Sequence, residues 1–385
     1  MSTAHPTHHL KSNDSVSGRM LHVGAPNVGD RRRFNELVDE IFQRRWFTNN
    51  GCVVQELERE IAAYLDVKHC ITVCNATVGL QLACHALDLS GEVVVPSFTF
   101  AATPHAAQWE GLTPVFVDIS RQSHSIDPES IRASITSETS AILGVHLWGI
   151  PCQTDAIDEI AKQYGLAVIY DAAHAFGSQN GDRMIGNFGN CEVFSFHATK
   201  FFNTFEGGAI TTNDDALAER LKLMRNFGFA GMDHVIHLGT NAKMPEICAA
   251  MGLSLLPCLE KIQSANQYKH SLYRAHLDTV DGLRVLSYDH LAKTNWQYVV
   301  LEVDSQVFGR TRDELMEDLH RQNIRVRRYF YPGCHRMEPY RSQPQNQSLE
   351  LPNTERACQR VLCLPTGSDI DEGDIDRVCQ AIRGY

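Results

Sequence analysis

Lys200 is the residue in this chain best placed to do chemistry. It lies in Phe196-His197-Ala198-Thr199-Lys200-Phe201-Phe202, a polar turn between an apolar strand-like run at 193–196 and a second run after Gly207-Gly208. Burial disfavours an ammonium, so a lysine held between buried segments gives up its proton more easily. The neutral amine is then a nucleophile able to bond a carbonyl carbon as a Schiff base. A surface lysine on a loop explains the same spacing, and taken alone it explains it better. Three other stretches bear on the choice.

Cys74-Asn75-Ala76-Thr77 joins an apolar run to a helical one. Its small residues let backbone N–H groups approach an anion, the helix start favours negative charge, and Thr77 adds a hydroxyl. An ordinary N-cap fits the same residues. Pro96-Ser97-Phe98-Thr99-Phe100 follows another apolar run, and Phe100 could lie against a planar ring or fill the core. Val168-Ile169-Tyr170-Asp171-Ala172-Ala173-His174 puts a carboxylate at the end of an apolar strand. There it needs a cation, such as a protonated ring nitrogen, unless it caps the following turn. His174 can reach the same ligand, and Ser195 stands just before the lysine turn. An anion cup, a ring-facing aromatic, a buried acid and a buried amine, in order along the chain, are what pyridoxal 5′-phosphate needs: phosphate anchor, ring contact, a partner for N1 and a bond to the aldehyde.

The elements that must bring these residues together are legible as alternating runs. Strand-like segments at 70–74, 92–95, 114–117, 141–145 and 166–170 are separated by helical ones at 77–86, 101–109, 128–135 and 155–164. Such alternation predicts an α/β fold, a mostly parallel sheet between helices, with ligands at the carboxyl ends of the strands. Amphipathic helices are expected at 31–45 and 55–65, broken by Trp46-Phe47-Thr48-Asn49-Asn50-Gly51. Beyond a helix at 214–226, residues 229–243 read as irregular, and 244–276 as helix interrupted at Pro257. Strands at 283–286, 296–303 and 324–330 and helices at 312–322 and 369–382 make a smaller α+β unit. The expected division is a tail at 1–20, a large domain at 21–265 and a small domain at 266–385.

Composition narrows the class. The 385 residues are 43% hydrophobic and 21% charged, with net charge −11. This is a globular composition with room for a large core. No basic block marks a nucleic-acid surface, and no apolar run is long enough to span a membrane. The twelve cysteines are scattered without a CxxC pair, which favours free thiols in a reducing cytoplasm over disulfides or a metal site. The tail, with His5, His8 and His9, lacks the apolar segment of a signal peptide. No GxGxxG follows the first strand, which disfavours a nicotinamide dehydrogenase.

Asp171-Ala172-Ala173-His174, Ser195-Phe196-His197-Ala198-Thr199-Lys200 and Glu206-Gly207-Gly208-Ala209 together resemble the DegT/DnrJ/EryC1/StrS family of sugar aminotransferases. The resemblance extends from about Leu21 to Ile382, with further matching stretches at 46–51, 96–103, 145–149, 241–246 and 364–367. It implies the fold-type-I, aspartate-aminotransferase-like architecture. By position it implies that Lys200 forms the Schiff base and shuttles the proton, and that Asp171 pairs with the pyridine nitrogen. Phe100 stacks on the ring, and Ala76, Thr77 and Ser195 bind the phosphate, helped by Asn241 from the second subunit of a homodimer with shared active sites. His174 stands near the ring oxygen, where many members have glutamine. Lys200 itself favours transamination, since relatives with histidine there dehydrate sugars.

Within the family, residues 46–51, 202–208 and 241–244 look most like 4-aminotransferases acting on dTDP-4-keto-6-deoxy-D-glucose. The resemblance implies a two-step exchange in which L-glutamate leaves as 2-oxoglutarate, the cofactor passes through its pyridoxamine 5′-phosphate form, and the nucleotide-linked keto sugar receives the amine. Thr48, Gly51, Arg327 and Tyr329 are expected at the sugar nucleotide, with Arg328 and Tyr331 beside them; a solvated basic edge explains the arginines equally well. A 3-keto-sugar or cyclitol aminotransferase, a sugar dehydratase and a non-catalytic cofactor-binding regulator remain rivals.

Overall fold

The computed structural model describes residues 19–288, 291 and 293–384. The three histidines expected in an N-terminal tail lie outside the described residues. Sixteen strands are described, in chain order β1 Leu21–His22, β2 His69–Val73, β3 Glu92–Pro96, β4 Thr113–Val117, β5 Thr139–Val145, β6 Ala167–Asp171, β7 Gln179–Asn180, β8 Arg183–Met184, β9 Cys191–Ser195, β10 Gly208–Thr212, β11 Phe229–Gly231, β12 His234–Val235, β13 Leu283–Val285, β14 Val299–Val303, β15 Ile324–Arg325 and β16 Val361–Leu364.

Seven of them form the central sheet in the order β2-β10-β9-β6-β5-β3-β4. β10 runs against β2 and β9, and the other pairings are parallel. The sheet is covered on both faces, which is why its strands read as near-continuous apolar runs. In β3, Val94 faces the layer built on the helices Arg31–Arg44, Cys52–Leu65 and Glu246–Leu255, while Val93 and Val95 face that of Ala76–Ala86 and Asp215–Met224. The connections leave the carboxyl ends of β2, β3, β5, β6 and β9 at one edge, and every candidate cofactor residue except Asn241 follows one of those ends.

A three-stranded antiparallel sheet, β13-β14-β16, packs with the helices Leu259–Leu277, Arg312–Arg321 and Glu372–Arg383 around a second core. A boundary at 265/266 falls inside Leu259–Leu277. Cys334, Tyr340 and Leu351 return to the core of the large sheet.

Several expected elements differ. The strand expected at 296–303 begins at Val299, because Trp296 sits at φ 54°, a conformation no strand residue adopts. The strand expected at 324–330 is reduced to β15. Arg327 still exchanges both backbone bonds with Cys363, but turns closing at Tyr331 and Gly333 then fold the chain back. Residues 229–243, expected to be irregular, contain the hairpin β11–β12. The last helix starts at Glu372, set by a capping box between Asp371 and Asp374. No helix among the described residues is long and apolar enough to cross a membrane.

Candidate active site

The ends of β2, β3, β5, β6 and β9 enclose a cavity of about 740 Å³. It brings together Ala76, Thr77, Phe100, Asp171, His174, Ser195, Lys200, Arg327 and Tyr329. The lysine turn is fixed by short-range bonds. Lys200 N donates to His197 O (2.9 Å), Thr204 N to Phe196 O (2.9 Å) and Phe196 N to Gly207 O (2.9 Å). Phe196, Phe201 and Phe202 point away into the core, where Phe202 stacks on Phe176. Their burial is what orients Lys200 toward the cavity. Two longer ties hold the same turn: Asn27 Nδ2 donates to Phe201 O (2.9 Å), and Gln297 Nε2 donates to Thr199 O (2.7 Å).

At the end of β2, Asn75 is the N-cap of Ala76–Ala86, its side chain accepting from Val78 N (2.9 Å). The amides of Ala76 and Thr77, at the first two helical positions, have no acceptor within the helix and are the donors available to an anion. Ser195, closing β9, lines the same corner. Gly208 is what allows β10 to approach it: a Cβ there would stand 2.9 Å from Ala76 N and 2.7 Å from Phe194 O. Phe100 is 60% exposed, so its ring is free to cover a ligand.

Asp171 is buried, and burial pushes its carboxyl above the ordinary range. Thr103 Oγ1 (2.7 Å) and Ala173 N (3.0 Å) donate to it and pull the other way, as does the charge of Lys200. Lys200 keeps accessible surface because it lines an open cavity, yet protein surrounds its ammonium. That burial brings its pKa down to about 8, against the attraction of Asp171. His174 is held well below its usual range, first by burial and then by Lys200, so the ring is neutral. Its Nδ1 accepts from Trp148 N (3.3 Å), which leaves the proton on Nε2. Tyr298 packs on its face at 4.4 Å.

Thr48, Gly51 and Asn241 do not line this cavity. Gly51 has a reason within the fold: it is the N-cap of Cys52–Leu65, and a Cβ there would meet the Glu246 carboxylate at 2.7 Å. Asn241 is exposed beside β2, bridged to Asn226, with Ala242 O accepting from Cys74 N (2.7 Å). Arg328 and Tyr331 turn outward, Arg328 onto Asp313 (3.0 Å) and over the Tyr331 ring. Arg327 lies over the Tyr329 ring, and among the described residues no carboxylate lies within ion-pair distance of it. Residue patterns missed Thr103 and Tyr298. Thr103 is the second residue of the helix Ala102–Trp109 and Tyr298 lies just before β14; neither carries a signal apart from the fold. His197 has a place in the turn, its Nδ1 2.9 Å from Thr199 Oγ1 and its Nε2 3.7 Å from Glu206.

A model of the DegT/DnrJ/EryC1/StrS aminotransferase family matches residues 29–383. The chain is 37% identical over 363 residues to the dTDP-4-amino-4,6-dideoxy-D-glucose transaminase of Shigella dysenteriae, covering 94% of this chain and 98% of that one. It is 35% identical over 373 residues to the GDP-perosamine synthase of Caulobacter vibrioides, with 94% and 97% covered. The fold matches a crystal structure of DesI in the presence of its TDP-sugar product at TM-score 0.92 and 46% identity, covering 96% of this chain and 94% of that one.

Proposed function

Because the chain belongs to the DegT/DnrJ/EryC1/StrS aminotransferase family, we propose that it uses pyridoxal 5′-phosphate to move an amino group from L-glutamate to C4 of dTDP-4-keto-6-deoxy-D-glucose, yielding dTDP-4-amino-4,6-dideoxy-D-glucose. The observation that carries this reading is the sharing of one cavity by Lys200, Asp171 and the donors of Ala76, Thr77 and Ser195. The residues suit the cofactor. Two free helix-start amides and two hydroxyls fit its phosphate, and Gly208 keeps that corner open. A buried carboxylate fits its ring nitrogen, and a lysine with depressed pKa fits its aldehyde. The cavity volume lies within the range of small-ligand sites.

When bound, the cofactor supplies a conjugated ring that takes up the electron pair left as a C–H bond beside nitrogen breaks. Asp171 would keep the ring nitrogen protonated, and Thr103 and Ala173 hold the Asp171 oxygens in place. Phe100 would cover one face of the ring, and the Nε2–H of His174 would be the donor for the ring oxygen. Lys200 would bond the cofactor's aldehyde carbon. With glutamate as donor, the neutral Nζ of Lys200 would be the group that takes the proton from the donor's α-carbon and returns it to the cofactor. With the keto sugar, Lys200 would move a proton the other way, onto sugar C4. Arg327 and Tyr329, at the cavity wall, bind the diphosphate.

A homodimer completes the site. Phe227, Phe229, Met232, Val235, Ile236 and Leu238 are exposed around the β11–β12 hairpin, next to Asn241, which reaches the phosphate cup of the partner subunit. Protein loaded with pyridoxal phosphate and given L-glutamate alone should lose its visible absorption and release an equal amount of 2-oxoglutarate. Unchanged absorption with no 2-oxoglutarate would contradict the reading.

A further inference from the structure

A second cavity, of about 280 Å³, lies between the loop after β4 and the small domain. Among the described residues it shares none with the cavity of Lys200. Four arginines line it, Arg121, Arg284, Arg356 and Arg360. Arg284 is paired with Glu302 (2.5 Å) and Arg360 with Asp304 (2.7 Å). Among the described residues, no carboxylate lies within ion-pair distance of Arg121 or Arg356. Two carboxylates against four guanidiniums leave an excess of positive charge in a concave site, on a chain whose net charge is −11. Burial, then Arg360 and Arg121, pull the Arg356 pKa below its ordinary value, against Glu302 and Asp304, which raise it. Gln122 adds a donor, because its amide oxygen already accepts from Ser120 Oγ (3.0 Å), leaving its NH₂ group for a ligand.

Like charges held together in a recess are stabilised by a dianion, and guanidinium forks arriving from several directions match the oxygens of a tetrahedral phosphoryl group. A carboxylate, flat and singly charged, neutralises them less well. We propose that this cavity binds a phosphoryl anion, supplied as inorganic phosphate or as the diphosphate end of a nucleotide. The site does not depend on the aminotransferase reading. It also has a physical connection to the other cavity. Glu302 lies 3.0 Å from His124 Nε2, His124 Nδ1 accepts from Trp148 Nε1 (3.3 Å), and Trp148 N donates to His174. An anion that competes with Glu302 for Arg284 therefore acts on a chain of contacts ending at His174.

The test is calorimetric titration of the cofactor-loaded protein, whose phosphate cup is filled, with inorganic phosphate and separately with dTDP. Expected is saturable binding that weakens at least about tenfold in Arg121→Ala and in Arg356→Gln, while Arg327→Ala leaves phosphate binding unchanged. Tighter binding of dTDP than of phosphate in the Arg327→Ala protein assigns the site to nucleotides; the reverse assigns it to free phosphate. Arg121 is on an exposed loop, so that variant folds even if Arg356→Gln does not. No heat at millimolar phosphate, or binding that survives Arg121→Ala, or binding lost with Arg327 instead, would overturn the proposal.

Discussion

Burial brings the Lys200 ammonium down to about 8, so pH is the lever that tests its role. The neutral amine is the reacting form, and its fraction rises with pH up to that value and then levels. In cofactor-free protein, the rate at which pyridoxal phosphate becomes attached to Lys200, trapped by borohydride, should climb about tenfold per unit below pH 8 and flatten above; a flat profile would count against a buried amine. Lys200→Ala should cost roughly 10²–10⁴-fold in amino-sugar formation, measured by steady-state rates with a saturating keto sugar. Thr103→Val keeps the side-chain size but removes a donor to Asp171. A hydrogen bond to a charged group is worth roughly 1.5–3 kcal/mol, so cofactor affinity measured by equilibrium dialysis should fall about tenfold or more. That Lys200 and Asp171 share a cavity could be expected from the sequence, because Asp171 ends an apolar strand and Lys200 sits in a turn between two buried runs. Thr103 could not be expected: its value comes from a bond to a residue 68 positions away.

At the scale of the element, the anion corner depends on the close approach of β10 to the start of Ala76–Ala86. Gly208→Ala sets a methyl against backbone atoms on two sides, Phe194 O and Ala76 N. Overpacking of this kind costs roughly 1–3 kcal/mol, to be read as a lowered unfolding midpoint together with weaker cofactor retention; an unaffected protein would mean that the corner is looser than the contacts imply. The central strands were readable because strands buried on both faces show as apolar runs. Elements set by distant partners were not. β1 and β15 are two residues each and exist through their pairing with one another, too short for any periodicity. Trp296 leaves the extended conformation while packing against His270 and Tyr288 (4.9 and 5.1 Å), so its strand-like residue type misled.

For the whole molecule, the exposed apolar hairpin and the absence of Asn241 and Thr48 from this chain's cavity fit a site finished by a second subunit. Met232 is 95% exposed and Leu238 75%, a state unfavourable for a lone chain. The double change Met232→Asp and Leu238→Asp should shift the protein from dimer to monomer in sedimentation velocity, and amino transfer should fall with it; a fully active monomer would refute the shared site. The family was accessible from motifs at strand ends, whereas the arginine cavity was not, because its four arginines come from three separate stretches of chain. Regiochemistry and nucleotide choice are decided by reacting the amine-form enzyme with a panel of dTDP- and GDP-linked keto sugars and identifying the product by NMR. Expected is an amino group at C4 of the dTDP-linked 6-deoxy sugar, formed in equal amount to the 2-oxoglutarate released in the preceding step. Amination at another carbon, loss of water in place of amination, or an unaltered dTDP sugar would contradict the proposed reaction.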